Sequence, residues 1–125
     1  MADVSLLVSI AGSGRADAPE LVGRILSRGT AVNRDHGGST ALISAARVGS
    51  TAVVRELLRH GADASKATRD KGNPPLFWAA AGGHLEVVDL LLGAGASPSQ
   101  VNANGDSALM WACRSGAGAS AAALL

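Results

Sequence analysis

Apolar positions fall into short helical stripes separated by glycines and polar turns. Val53, Val54, Leu57 and Leu58 sit at i, i+1, i+4 and i+5, which is one face of a helix. The run Val87, Val88, Leu90, Leu91 and Leu92 repeats that stripe. Gly61 and Gly95 follow, and glycines there end helices through positive φ. Ahead of each stripe a shorter block predicts a first helix: Thr40 to Val48, Pro74 to Gly82, and Ser107 to Ser115. Thr40 and Ser107 are N-cap residues, and Pro75 suits a first helical turn, where an N–H has no partner to lose. The pairs Ala45-Ala46, Ala79-Ala80 and Ala112-Cys113 let backbones approach, and Gly49, Gly83 and Gly116 break the chain before the second helix. Cys113, at an alanine position, is expected to be a buried, inert thiol.

The blocks are copies of one unit. GSTALISAARVGSTAVVRELLRHGADAS runs from Gly38, GNPPLFWAAAGGHLEVVDLLLGAGASPS from Gly72, and GDSALMWACRSGAGASAAALL from Gly105, so the units start 34 and 33 residues apart. Self-similarity at that period marks a stack in which each unit buries its face against its neighbours. Between units lie about ten polar residues, such as Asp63 to Asn73, with the turn chemistry of a projecting hairpin-like finger. Upstream, PELVGRILSRGTAVN is expected to hold a further helix, with Asp17 and Glu20 spaced as a capping box just ahead of it.

These segments resemble ankyrin repeats, whose pattern opens G-x-T-P-L-H-x-A-A and continues through G-H, a V-V-x-L-L-L run and G-A-D. GSTALISAA, GNPPLFWAA and GDSALMWAC match the opening, while GGHLEVVDLLLGAGAS and HGADAS match the remainder. The resemblance implies an all-α, curved solenoid of helix-turn-helix units with finger loops along one edge, in a single domain of units at about 3–34, 35–68, 69–101 and 102–125. Two departures stand out. Ile43, Phe77 and Met110 replace the family's histidine, so packing must replace a Thr–His hydrogen-bond network. The last unit lacks charged outer residues and stops before its terminal glycine, so the chain is expected to be a piece of a longer one, with Leu124 and Leu125 exposed.

Composition narrows the function. Alanine (25) and glycine (16) make up a third of the chain, and aromatics are Phe77, Trp78 and Trp111, so the core must be thin. Eleven basic against ten acidic residues leave +1, too little for a global pull toward nucleic acid or anionic lipid. The finger Lys66 to Lys71 gathers three positive charges against one negative, which is a weak nucleic-acid signal without interleaved aromatics. No apolar run approaches the roughly 18 residues of a membrane span, and Val4 to Ala11 lacks the basic leader of a secretory signal. With a single cysteine, the reading is an intracellular protein, cytoplasmic or nuclear.

Catalytic motifs fail in turn. There is no P-loop, H-E-x-x-H or G-x-S-x-G. Gly116 to Ala121 mimics a G-x-G-x-x-A loop, but a helix and not a strand precedes it. His36, His60 and His84 occupy three phases of the repeat and do not converge on a metal. His84 matches the family's G-H histidine, which implies hydrogen bonding to its own turn. His60 complements a helix C-terminus. No cofactor, metal or small-molecule substrate is expected, and a hidden catalytic site at His36 or His84 would need loss-of-activity data.

The family geometry implies instead that a protein partner binds the concave face of finger tips and first helices. By matching position that face holds His36, Ser39, Asp70, Lys71, Asn73, Asn104 and Asp106 from the fingers, and Arg47, Ala81 and Arg114 from the first helices. Arg47 and Arg114 are equivalent two units apart, on the order of 20 Å at ordinary helix spacing. Trp78 and Trp111 are equivalent one unit apart, and serve either as packing between units or as aromatic anchors. Glu86, Asp89, Arg55, Glu56 and Arg59 decorate the outer face. The rival to recognition is a spacer within a larger protein whose activity lies elsewhere.

Overall fold

The computed structural model describes residues 2–125. Among the described residues eight helices follow one another: α1 Ala2–Ala11, α2 Ala18–Ser27, α3 Ala41–Val48, α4 Thr51–Arg59, α5 Pro75–Ala81, α6 Leu85–Gly93, α7 Ala108–Ser115 and α8 Gly118–Leu124. They form two layers. First helices pack in the row α1, α3, α5, α7, and second helices in the row α2, α4, α6, α8. Each unit therefore touches chiefly its sequence neighbours, as the repeat period requires.

First helices start one residue later than the pattern predicts, because Thr40, Pro74 and Ser107 are extended capping residues. The Thr40 hydroxyl accepts from the Ile43 N–H at 3.3 Å, and the Ser107 hydroxyl from the Met110 N–H at 3.3 Å. The Asp17–Glu20 capping box does not form. Asp17 stands at the N-cap position of α2 without a side-chain cap, because its carboxylate faces Arg15 at 3.0 Å.

The core is thin. Ala45, Ala46, Ala79 and Ala80 are fully buried, and so are Leu57, Leu91 and the Val53-Val54 and Val88 positions of the stripes. Phe77 is the largest fully buried side chain and fills the place of the missing histidine in its unit. Cys113 breaks the expected pattern and is exposed. Its equivalents Ala46 and Ala80 are covered by the first helix of the following unit, and α7 has no such neighbour among the described residues. Leu125 is 93 % exposed, whereas Leu124 is half-buried against the core and departs from the expected exposure.

Fingers join edge to edge. His36 and Ser39 exchange backbone hydrogen bonds across a tight turn. The Arg69 N–H then donates to the Gly38 carbonyl at 3.2 Å, and the Ala103 N–H to the Lys71 carbonyl at 2.8 Å. Asparagines tie neighbouring units at two separate places. Asn33 accepts from the Asp63 N–H at 2.6 Å and donates to the Gly61 carbonyl at 3.2 Å. Asn102 donates to the Asn73 side-chain oxygen at 2.8 Å.

Candidate functional site

Arg47 lies in the last turn of α3 and is exposed, one unit before Trp78 of α5. Its guanidinium lies 5.2 Å from the Trp78 ring centroid, within range of a cation–π attraction. Trp78 meets Trp111 edge to face at 5.4 Å, and Trp111 meets Phe77 at 5.3 Å. Both tryptophans are half-buried and pack between units; Trp78 also lines the groove described next, whereas Trp111 lines a separate depression with Arg114 and Ser115. The Trp78 indole N–H is buried without an acceptor.

A groove of about 560 Å³ lies between these helices and two fingers. Ile43, only 1 % exposed, is among its lining residues, and Ser39, Arg47, Arg69, Asp70 and Trp78 line it too. The Asp70 carboxyl is held below the ordinary aspartate range, chiefly by the Thr68 hydroxyl and then by the Lys71 N–H. The structure thus brings Ser39, Arg47, Asp70 and Trp78 together. His36 stands outside, with its ring near the Ser5 hydroxyl at 3.3 Å. Lys71 and Asn104 are exposed on neighbouring fingers.

Three expected contributors are occupied internally. Asn73 is 4 % exposed and accepts from the Asn102 side chain, so it is withdrawn from the surface. Arg114 and Asp106 grip each other through two hydrogen bonds of 3.1 and 3.2 Å. The finger from Lys66 to Lys71 is less basic than its composition, because Arg69 pairs with Asp35 at 2.8 Å; Lys66 keeps its charge but is tied to the Asn33 carbonyl. His84 is also corrected: its Nε2 lies 3.3 Å from the Arg47 carbonyl oxygen, in the preceding unit and not in its own turn.

Arg69 and Ile43 were missed from the sequence. Arg69 could have been found from Asp35, which lies one repeat earlier with opposite charge. A second depression, about 620 Å³ between α2 and α4, was also missed. It lies on the outer layer, where Arg59 and His60 both turn toward Glu56, at 3.0 and 3.6 Å. Among the described residues no group of three or more potential ligands could hold a metal ion, and no helix is long and apolar enough to cross a membrane.

The family profile described as ankyrin repeats (3 copies) matches residues 7–101 and 67–125. The chain belongs to the ankyrin-repeat family. That fold is non-catalytic and generally mediates protein–protein interaction. Similar proteins include the probable E3 ubiquitin-protein ligase XBOS33 of Oryza sativa subsp. japonica, 45 % identical over 76 residues that make up 60 % of this chain and 15 % of the relative. The E3 ubiquitin-protein ligase XBAT33 of Arabidopsis thaliana is 45 % identical over 76 residues, with the same shares of 60 % and 15 %. The ankyrin repeat and KH domain-containing protein mask-1 of Caenorhabditis elegans is 43 % identical over 79 residues, 62 % of this chain and 3 % of the relative. The ankyrin chain therefore spans at most 15 % of these relatives' length, and the likeness to the ligases lies within their repeat region.

Proposed function

We propose that this ankyrin segment is a recognition module that binds a protein partner through the groove between its fingers and first helices, without catalysing a reaction itself. The observation that carries this reading is the convergence of Arg47, stacked on Trp78, with Ser39 and Asp70 on one concave surface. The outer depression is less suited to a partner, because no tryptophan or phenylalanine lines it and Arg59 and His60 already engage Glu56. Pairing of Arg69 with Asp35 and the tethering of Lys66 to a backbone carbonyl speak against nucleic acid as the ligand. A compartment with reduced thiols, cytoplasm or nucleus, suits the lone exposed Cys113.

Affinity capture with the 125-residue chain tests the reading. Arg47→Ala should weaken retention of the partner by about 1–3 kcal/mol, as expected for a desolvated anchor. Arg114→Ala should do less, because Asp106 already holds that guanidinium. Glu86→Ala on the outer layer should change almost nothing. A larger loss from Glu86→Ala than from Arg47→Ala would place the partner on the outer helices instead.

The small share of the relatives that the chain covers favours a second reading, a spacer inside a larger protein. Replacing the segment in the full-length protein by an unrelated ankyrin stack of equal length separates the two. A spacer tolerates the exchange and a recognition module does not.

A further inference from the structure

The repeat supplies its own comparison for Arg47. Aligning GSTAL from Gly38, GNPPL from Gly72 and GDSAL from Gly105 makes Ser39, Asn73 and Asp106 equivalent. The same alignment makes Arg47, Ala81 and Arg114 equivalent, eight residues further on in each unit. In the last unit both partners are charged, and Asp106 takes the Arg114 guanidinium through two parallel hydrogen bonds. In the middle unit neither is charged, and Asn73 turns inward to Asn102. The first unit keeps the arginine and lacks the acid. Ser39 is short and neutral, and no carboxylate among the described residues pairs with Arg47.

The unpaired arginine is also oriented. The His84 ring meets the Arg47 carbonyl at 3.3 Å, which fixes the end of α3. The Trp78 face occupies one side of the guanidinium. The guanidinium N–H groups make no hydrogen bond among the described residues, and such donors grip carboxylates in pairs. Ser39 and Arg47 line one groove, open where Asp106 closes the equivalent site.

We propose that the missing carboxylate comes from the partner: an aspartate or glutamate of a protein ligand seats against Arg47 in the position that Asp106 occupies against Arg114. This rests on the concave-face reading above and names the chemistry that face selects. A single carboxylate fits better than a phosphodiester chain, whose successive charges would meet Asp70 in the same groove while Asp35 has claimed Arg69.

The test is selection of a displayed random dodecapeptide library on the 125-residue chain. Binders should carry an acid at one fixed position. Changing that acid to its amide should weaken binding about tenfold or more, and so should Arg47→Ala. Ser39→Asp is the decisive variant. It should close the site from within, lower affinity for the acidic binders by a similar factor and leave the melting temperature unchanged or raised, so loss of fold cannot mimic the result. Asp106→Ser should not weaken these binders. An unchanged affinity in Ser39→Asp, or a selection that enriches no acid or no peptide at all, overturns the proposal. Acid-free binders that Trp78→Leu still abolishes would overturn only the carboxylate and leave the concave-face reading standing. Binders indifferent to every groove variant would remove both.

Discussion

The imidazole of His84 crosses a unit boundary to the carbonyl oxygen of Arg47, 3.3 Å away. It lies over Gly49, where an added Cβ would stand 2.3 Å from the ring. Gly49 is therefore constrained twice, by its φ of 76° and by the histidine above it. Gly49→Ala should cost the roughly 1–2 kcal/mol of left-handed backbone and a further penalty from the clash. Gly116→Ala, at φ 77° with open space around it, should cost only the first. Chemical denaturation of both variants checks this, and equal losses would mean that His84 yields freely. In Gly49→Ala/His84→Ala the two changes should couple, because the second removes the clash created by the first.

Leu91 tests the stack itself. It is fully buried in α6, so Leu91→Ala should lose about 2–5 kcal/mol through lost burial and a cavity. Leu125→Ala, at a residue 93 % exposed, should stay within about 0.5 kcal/mol. A loss below about 1 kcal/mol at Leu91 would contradict packing between neighbouring second helices.

Acid should loosen the fingers first. Asp35 is held below the ordinary aspartate value of 3.8, chiefly by its hydrogen bond from Arg69. Asp63 is lowered by the Ser65 hydroxyl and N–H. A carboxyl lowered by folding contributes stability above its unfolded value and loses it as pH falls through the folded one. The contribution should therefore persist down to about pH 4 and fade below it. Melting curves of the parent and of Asp35→Asn over that range give the answer: the variant should show a shallower acid decline, and identical slopes would deny Asp35 a part.

Cys113 should react in the folded state. An aromatic disulfide reagent should titrate the exposed thiol without denaturant. Reaction that begins only on unfolding would restore the buried position expected from its alanine equivalents.

The sequence carried the repeat because that information is local. Thr40 and Ser107 cap within three residues, the Val53 to Leu58 stripe declares its face, and glycines mark each break. What it hid lies between units. Asn73 and Asn102 are 29 residues apart, and Arg69 and Asp35 are 34 apart, so the withdrawal of one and the neutralisation of the other depend on stacking geometry. Asp17 shows the opposite failure. A good local motif lost its carboxylate to Arg15, two residues earlier. Arg47 was legible as a surface cation, but its lack of an acid emerges only beside the Arg114–Asp106 pair.

The two tryptophans have a spectroscopic consequence. They are the chain's only indoles, and their rings touch across one boundary at 5.4 Å. Intrinsic fluorescence and near-ultraviolet dichroism therefore report the α5–α7 junction and little else. In a stack held by neighbour contacts, fraying of α1 and α2 would leave that optical signal almost silent while helix content falls. Separation between the two signals during unfolding would measure how far the units melt independently.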